Sequence, residues 1–166
     1  MNTTQPSILI VEDIPNILDS LTVTIRFRGY HVITARNGEE ALQAVIEHAP
    51  SLVVTDILMP KMDGFSLAHS LRSNPATKDI PIIFLSATYT SPADRDFAMN
   101  LGAEHFLEKP VDTENLLLAI GEILASAPNA NRKTMDEVGF YEGYRERLLN
   151  KLSHKNTQIS RTERLL

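Results

Sequence analysis

Five side chains of this sequence, Glu12, Asp13, Asp56, Ser86 and Lys109, stand at or just past the ends of short apolar runs. Three are carboxylates, one is a hydroxyl and one an ammonium. Three carboxylates sharing a crevice repel one another and push their pKa values up unless a cation sits among them. All the donors are oxygen, and Mg²⁺ suits them best because it accepts one or two carboxylates and keeps several waters. The chain has no Cys and no clustered His that would favour zinc. A Ser hydroxyl donates to a phosphoryl oxygen, and a Lys ammonium pairs with a carboxylate or a phosphoryl group. Together these groups make a site for forming an aspartyl phosphate, with Asp56 as nucleophile. Taken singly, each has an ordinary alternative: Asp56 or Ser86 as a cap, Glu12-Asp13 as a solvated pair, Lys109-Pro110 as a surface turn. The coincidence of all five at equivalent positions favours the functional reading.

That equivalence comes from the elements that carry them. Residues 7–11 (Ser-Ile-Leu-Ile-Val) form a continuous apolar run, as expected of a strand covered on both faces, and lead into Glu12-Asp13. Residues 52–54 are a second such run, delivering Asp56 just before a turn containing Pro60 and Gly64. Residues 81–85 lead to Ser86, and residues 104–107 lead to Lys109. Residues 30–35 complete a set of five strands. Between them lie helical patterns: Pro15 onward to a stop at Gly29, residues 39–46, 65–71 and 92–101, and a last one over 113–125. Strands alternating with helices predict a doubly wound α/β domain with a parallel sheet, whose ligands bind beyond the C-terminal ends of the strands. Met59 and Met62 beside Asp56 read as packing residues, and His48, His69 and His105 share no metal-binding spacing.

Composition bounds the remaining possibilities. With 166 residues, 43% of them hydrophobic, there is material for one full-sized core and an appendage. Residues 1–128 hold 8 Lys+Arg against 16 Asp+Glu, and residues 129–166 hold 8 against 5. A body of net charge −8 lacks the basic face that phosphate contacts on nucleic acid require, and no DNA-binding domain is visible. The absence of Cys, of a signal-like start and of a membrane-length apolar run makes a cytoplasmic protein the expectation, with no membrane segment.

Four segments, Ile8-Leu9-Ile10-Val11-Glu12-Asp13, Asp56-Ile57-Leu58-Met59-Pro60-Lys61-Met62-Asp63-Gly64, Ser86-Ala87 and Phe106-Leu107-Glu108-Lys109-Pro110, occur in this order. In them the chain resembles the receiver domain of two-component response regulators over about residues 7–125. The resemblance implies a flavodoxin-like five-stranded sheet of order 2-1-3-4-5. It also implies that Asp56 is the phosphoacceptor for a sensor histidine kinase or phosphotransfer protein. Glu12, Asp13, Asp56 and the backbone carbonyl of Leu58 would hold Mg²⁺, and Ser86 and Lys109 would contact the phosphoryl group. Phe106 would be the aromatic that rotates with Ser86, and the Lys109-Pro110 bond would be cis. A hydrolase working through an aspartyl phosphate is one rival, although such an enzyme wants a second acid where Leu58 stands, two residues after Asp56. A nucleotide or flavin carrier lacks its Gly-rich loop after the first strand, and a purely structural module would bind neither Mg²⁺ nor a phosphoryl mimic.

The expected organisation is a receiver domain over residues 1–125, a linker over 126–136 and a helical tail over 137–166. Leu149, Leu152, Asn156, Ile159, Glu163 and Leu166 follow the alternating three- and four-residue spacing of a coiled-coil seam, with polar positions inside it. A homodimer through the tail or a receiver face is one expectation. The other is that the tail docks on its own domain, using the stripe of Phe140, Tyr144 and Leu148. The pattern is still running at Leu165-Leu166, an end that fits a piece of a longer protein.

Overall fold

The computed structural model describes residues 5–126 and 135–165, with backbone alone from residue 153 onward. The elements alternate in chain order: β1 (Ser7–Val11), α1 (Pro15–Phe27), β2 (His31–Ala35), α2 (Gly38–His48), β3 (Leu52–Asp56), α3 (Gly64–Ser73), β4 (Ile82–Ser86), α4 (Pro92–Asn100), β5 (His105–Glu108), α5 (Thr113–Ala125) and α6 (Glu137–Leu165). The five strands form one parallel sheet of order β2-β1-β3-β4-β5, as the resemblance implies. Because successive strand side chains point to opposite faces, each central strand feeds two cores. Leu9, Val11, Val53, Ile82 and Phe84 face α2, α3 and α4, where Phe65, Leu71 and Phe97 meet them. Ile8, Ile10, Val54, Ile83 and Leu85 face α1 and α5, against Leu18, Ile25, Leu116 and Ile120. Burial on both faces is the physical reason that β1, β3 and β4 carry unbroken apolar runs rather than alternating ones.

Polar caps set where the helices begin. Asn37 accepts the backbone N–H of Glu40 at the start of α2, Asp63 that of Ser66 on α3, and Asp112 those of Glu114 and Asn115 on α5. Ser91 and Asp94 form a reciprocal capping box on α4. Two helices accordingly start one residue earlier than the apolar pattern predicts, at Gly38 and Gly64, because the cap rather than the first apolar residue fixes the start. Gly64 also has a spatial reason to be glycine: a Cβ there would lie 2.4 Å from the backbone oxygen of Asp56. Its N–H donates to the Ile57 oxygen at 2.7 Å, so the loop that follows Asp56 closes tightly on itself.

The helix α6 is capped by Asp136, whose Oδ1 accepts the Gly139 N–H at 2.8 Å, inside the stretch expected to be linker. It lies against α3 and α4. Phe140 is buried and stacks on His69 of α3 with ring centroids 4.0 Å apart, and on Phe97 of α4 at 5.9 Å. Of the expected coiled-coil seam, Leu149 and Leu152 are exposed, at 54% and 56%. The side chains of Asn156, Ile159 and Leu166 lie outside the described residues. No helix among the described residues is long and apolar enough to cross a membrane.

Candidate functional site

The central strands end side by side, and their polar termini converge. Val11 of β1 pairs with Thr55 of β3, so Glu12 and Asp13 emerge next to Asp56. Asp56 pairs with Leu85 of β4, which puts Ser86 one residue beyond it. Ser86 in turn pairs with Glu108 of β5, and the Lys109 N–H donates to the Ser86 carbonyl at 2.9 Å. Parallel pairing in this register therefore gathers all five predicted side chains at one edge of the sheet.

Lys109 is the bridge. Its Nζ lies 2.6 Å from Glu12 Oε2 and 3.3 Å from Asp56 Oδ2. Glu12 is fully buried, Asp56 nearly so, and Asp13 half-buried at the rim. Burial pushes the Glu12 carboxyl above the usual range, with the Lys109 hydrogen bond pulling down and the nearby Asp56 charge adding to the rise. Burial likewise raises Asp56, opposed by Lys109 and by the Ile57 N–H that donates to Oδ1 at 2.8 Å, and reinforced by Asp13. Burial on its own would lower the Lys109 ammonium, but the Glu12 hydrogen bond and the Asp56 charge outweigh it and the net shift is upward. Ligand oxygens of Glu12, Asp13 and Asp56 lie within 4.8 Å of one another. Three carboxylates with one ammonium leave a formal charge of about −2, opposite in sign and equal in size to that of a hard divalent cation that takes oxygen ligands. The donor set thus fits Mg²⁺.

Ser86 is buried with its Oγ accepting the N–H groups of Tyr89 at 2.8 Å and Thr88 at 3.3 Å. Phe106 is buried on β5, where the Arg95 guanidinium lies 5.6 Å from its ring centroid and donates to its carbonyl at 2.9 Å. Leu58 is exposed just after β3, and the Lys109–Pro110 peptide bond is cis. Met59 is buried and Met62 packs against the same core, so both serve as packing residues. From the acidic rim a groove of about 970 Å³ runs along α1 and the start of α5, lined by Ile14, Ile17, Leu21, Pro110, Val111 and Leu116 among others. Periodicity did not single out this groove, because the apolar positions of α1 that line it carry the same helical spacing as those that face the core.

The response regulator receiver domain model matches residues 8–121. The chain belongs to the receiver domain family. Receivers are the phosphorylation-dependent switches of two-component signalling, signalling domains rather than classical enzymes. Over 118 residues the chain is 35% identical to PilH of Pseudomonas aeruginosa, covering 71% of this chain and 97% of that one. It is 38% identical to the ycf27 regulator of Pyropia yezoensis over 127 residues, 76% of this chain and 51% of that protein. The chain thus spans about half the length of the ycf27 relatives it matches. The chemotaxis response regulator CheY4 of Vibrio cholerae superposes with a TM-score of 0.67 at 32% identity, covering 72% of this chain and 99% of that structure. The receiver match ends before α6 begins, so this helix is an addition to the shared fold.

Proposed function

We propose that this receiver accepts a phosphoryl group on Asp56 from a sensor histidine kinase or phosphotransfer protein and passes the change of state to a partner. The observation that carries the reading is the charge arrangement: three carboxylates at the ends of β1 and β3, with Lys109 held between Glu12 and Asp56. An Asp56 oxygen attacks phosphorus as the donor's bond to phosphorus breaks, leaving a mixed anhydride on the strand end. Glu12, Asp13, Asp56 and the Leu58 carbonyl are the groups that would hold Mg²⁺, which when bound offsets the carboxylate repulsion and the phosphoryl charge. Lys109 pairs with the Asp56 carboxylate before transfer and is placed to pair with a phosphoryl oxygen after it. The Ser86 hydroxyl donates to a second phosphoryl oxygen, and Phe106 on the adjoining strand follows its movement. A cytoplasmic location suits such a partner. RpaA of Synechocystis, 33% identical over 119 residues, is by name a DNA-binding regulator. In the present chain the net −8 of residues 1–128 favours output through protein contact over direct DNA contact by the receiver.

The test is to treat the protein with a small-molecule phosphodonor and Mg²⁺ and to follow intact mass. A single acid-stable, base-labile phosphoryl adduct is expected, and Asp56→Asn, which keeps the shape but loses the nucleophile, should show none. Full labelling of that variant would move the acceptor elsewhere.

A further inference from the structure

The helix α6 touches the two loops that leave the acceptor site. Tyr144 Oη donates to Asp63 Oδ2 at 2.6 Å, and Asp63 closes the loop that begins at Asp56 and caps α3. Lys151 Nζ sits 5.0 Å from the ring centroid of Tyr89, in the loop that follows Ser86. Between these contacts, Arg147 Nη1 donates to Asp94 Oδ1 at 3.0 Å, both side chains being buried, and Asp94 belongs to the capping box that starts α4. Phe140 fills the gap between His69 of α3 and Phe97 of α4. One helix outside the receiver match thus fastens the β3–α3 loop, the β4–α4 loop and the first turn of α4 to one another.

The link from the acceptor site to these fastenings is short. Ser86 Oγ holds the Tyr89 N–H at 2.8 Å and the Thr88 N–H at 3.3 Å. Tyr89 is buried, with its ring edge-on to Phe65 at 5.2 Å and its face toward Lys151. A phosphoryl group on Asp56 offers new acceptor oxygens to the Ser86 hydroxyl. Drawing Oγ toward them lengthens its bond to the Tyr89 N–H and shifts the Tyr89 ring. Two contacts of α6 depend on that loop staying in place: Lys151 on Tyr89, and Arg147 on the α4 start that the loop leads into.

We propose that α6 is a clasp, closed over α3 and α4 when Asp56 is unmodified and loosened when Asp56 carries a phosphoryl group. The clasp rests on the reading of Asp56 as acceptor. Coupling between two sites is reciprocal, so whatever the phosphoryl state does to α6, loosening α6 does to the affinity for that state.

The experiment uses the full chain with beryllium fluoride and Mg²⁺ as the phosphoryl mimic. Hydrogen exchange is followed at the amides of residues 140–148, with α5 as internal reference. The mimic should speed exchange in residues 140–148 by about fivefold or more and leave α5 unchanged. Asp56→Asn should show no response. The double variant Tyr144→Phe/Arg147→Met, unclasped from the start, should bind the mimic on the order of five- to tenfold more tightly than the parent. If that variant fails to fold, which unprotected α5 amides would show, the exchange response of the parent decides alone. Asp56-dependent binding with unchanged or slower exchange in residues 140–148 overturns the clasp and leaves the acceptor reading standing. No Asp56-dependent binding overturns both.

Discussion

Among the described residues, Arg147 and Lys109 both meet buried carboxylates, and they do opposite things. Arg147 of α6 meets one buried carboxylate, Asp94, at 3.0 Å, with the exposed Glu146 at 3.8 Å, and Asp94's other oxygen accepts the Ser91 N–H at 3.2 Å, so the buried charge and its hydrogen bonds are matched. Lys109 meets Glu12 and Asp56 at once, with Asp13 close by, and negative charge is left over. A matched pair holds two pieces of structure together and has nothing left to react. An unmatched cluster stores repulsion that a cation can relieve. The difference between a joint and a site lies in the residual charge rather than in the burial of the carboxylates, which the two share.

Removing each cation in turn tests this most severely. Lys109→Met and Arg147→Met both strand a buried carboxylate, a loss of about 3 kcal/mol when a buried pair is broken from one side. The rescue should differ. Millimolar Mg²⁺ should restore most of the stability of Lys109→Met in urea unfolding at neutral pH, because a dication replaces the lost ammonium. It should do nothing for Arg147→Met, whose loss appears as detachment of α6. Equal rescue of the two variants would erase the distinction.

A smaller effect is expected at Asp13, which adds charge to the unmatched cluster. Asp13→Asn should weaken Mg²⁺ binding about tenfold or more in calorimetry and stabilise the metal-free protein by about 1 kcal/mol, the size of one partly screened repulsion. The pH dependence of that metal-free stability follows from Glu12 and Asp56, whose folded pKa values are raised, first by burial, above the ordinary values of 4.5 and 3.8. The folded state then binds protons more tightly than the unfolded chain, so these two groups should lower stability as pH rises from about their ordinary values through the raised ones. Saturating Mg²⁺ favours the ionised forms and should flatten or reverse the slope. A metal-free protein whose stability rose across that window would contradict the upward shifts, which burial causes first and like charge reinforces.

The smallest effect belongs to the joint. Burial first, and the hydrogen bond to Asp63 second, push the Tyr144 phenol up to about 12. With the folded value above the ordinary value of 10.0, the neutral phenol favours docking, a contribution present below pH 10 and lost toward 12. Tyrosinate absorbance should show a late-titrating phenol that moves down in Asp63→Asn, and α6 should detach over the same pH range.

The sheet and its edge were legible in the sequence because one physical cause wrote both. Strands buried on two faces need unbroken apolar runs, and parallel pairing forces their polar ends to one side, so Asp56, Ser86 and Lys109 could be placed together without coordinates. Element ends were less legible: β2 starts at His31 rather than Tyr30, and Asp136 caps α6 from within the expected linker. The docking of α6 was legible only in part. Helical spacing showed that Phe140 and Tyr144 share a face, but the same spacing fits a seam between two chains, and spacing does not say what covers a face. The deciding partners, Asp94 for Arg147 and Asp63 for Tyr144, lie 53 and 81 residues away in the chain, with no local pattern linking them. Tyr89 stood in a loop without periodicity, and nothing local marked it as the residue between Ser86 and Lys151.

Gly143 sits within the first third of α6, and a Cβ there would lie 2.6 Å from the Phe97 ring. Glycine inside a helix costs roughly 1 kcal/mol relative to alanine, and α6 carries a second glycine at Gly139, one turn earlier. Away from the ring that requires it, this first third of the helix has poor intrinsic helicity and no packing to compensate. Leaving the surface would therefore favour unwinding of residues 137–148. An extended chain of a dozen residues reaches more than twice as far as the same residues coiled, at about 3.4 Å rather than 1.5 Å per residue. Release of this helix would accordingly lengthen the tether to whatever follows it as well as uncover a surface.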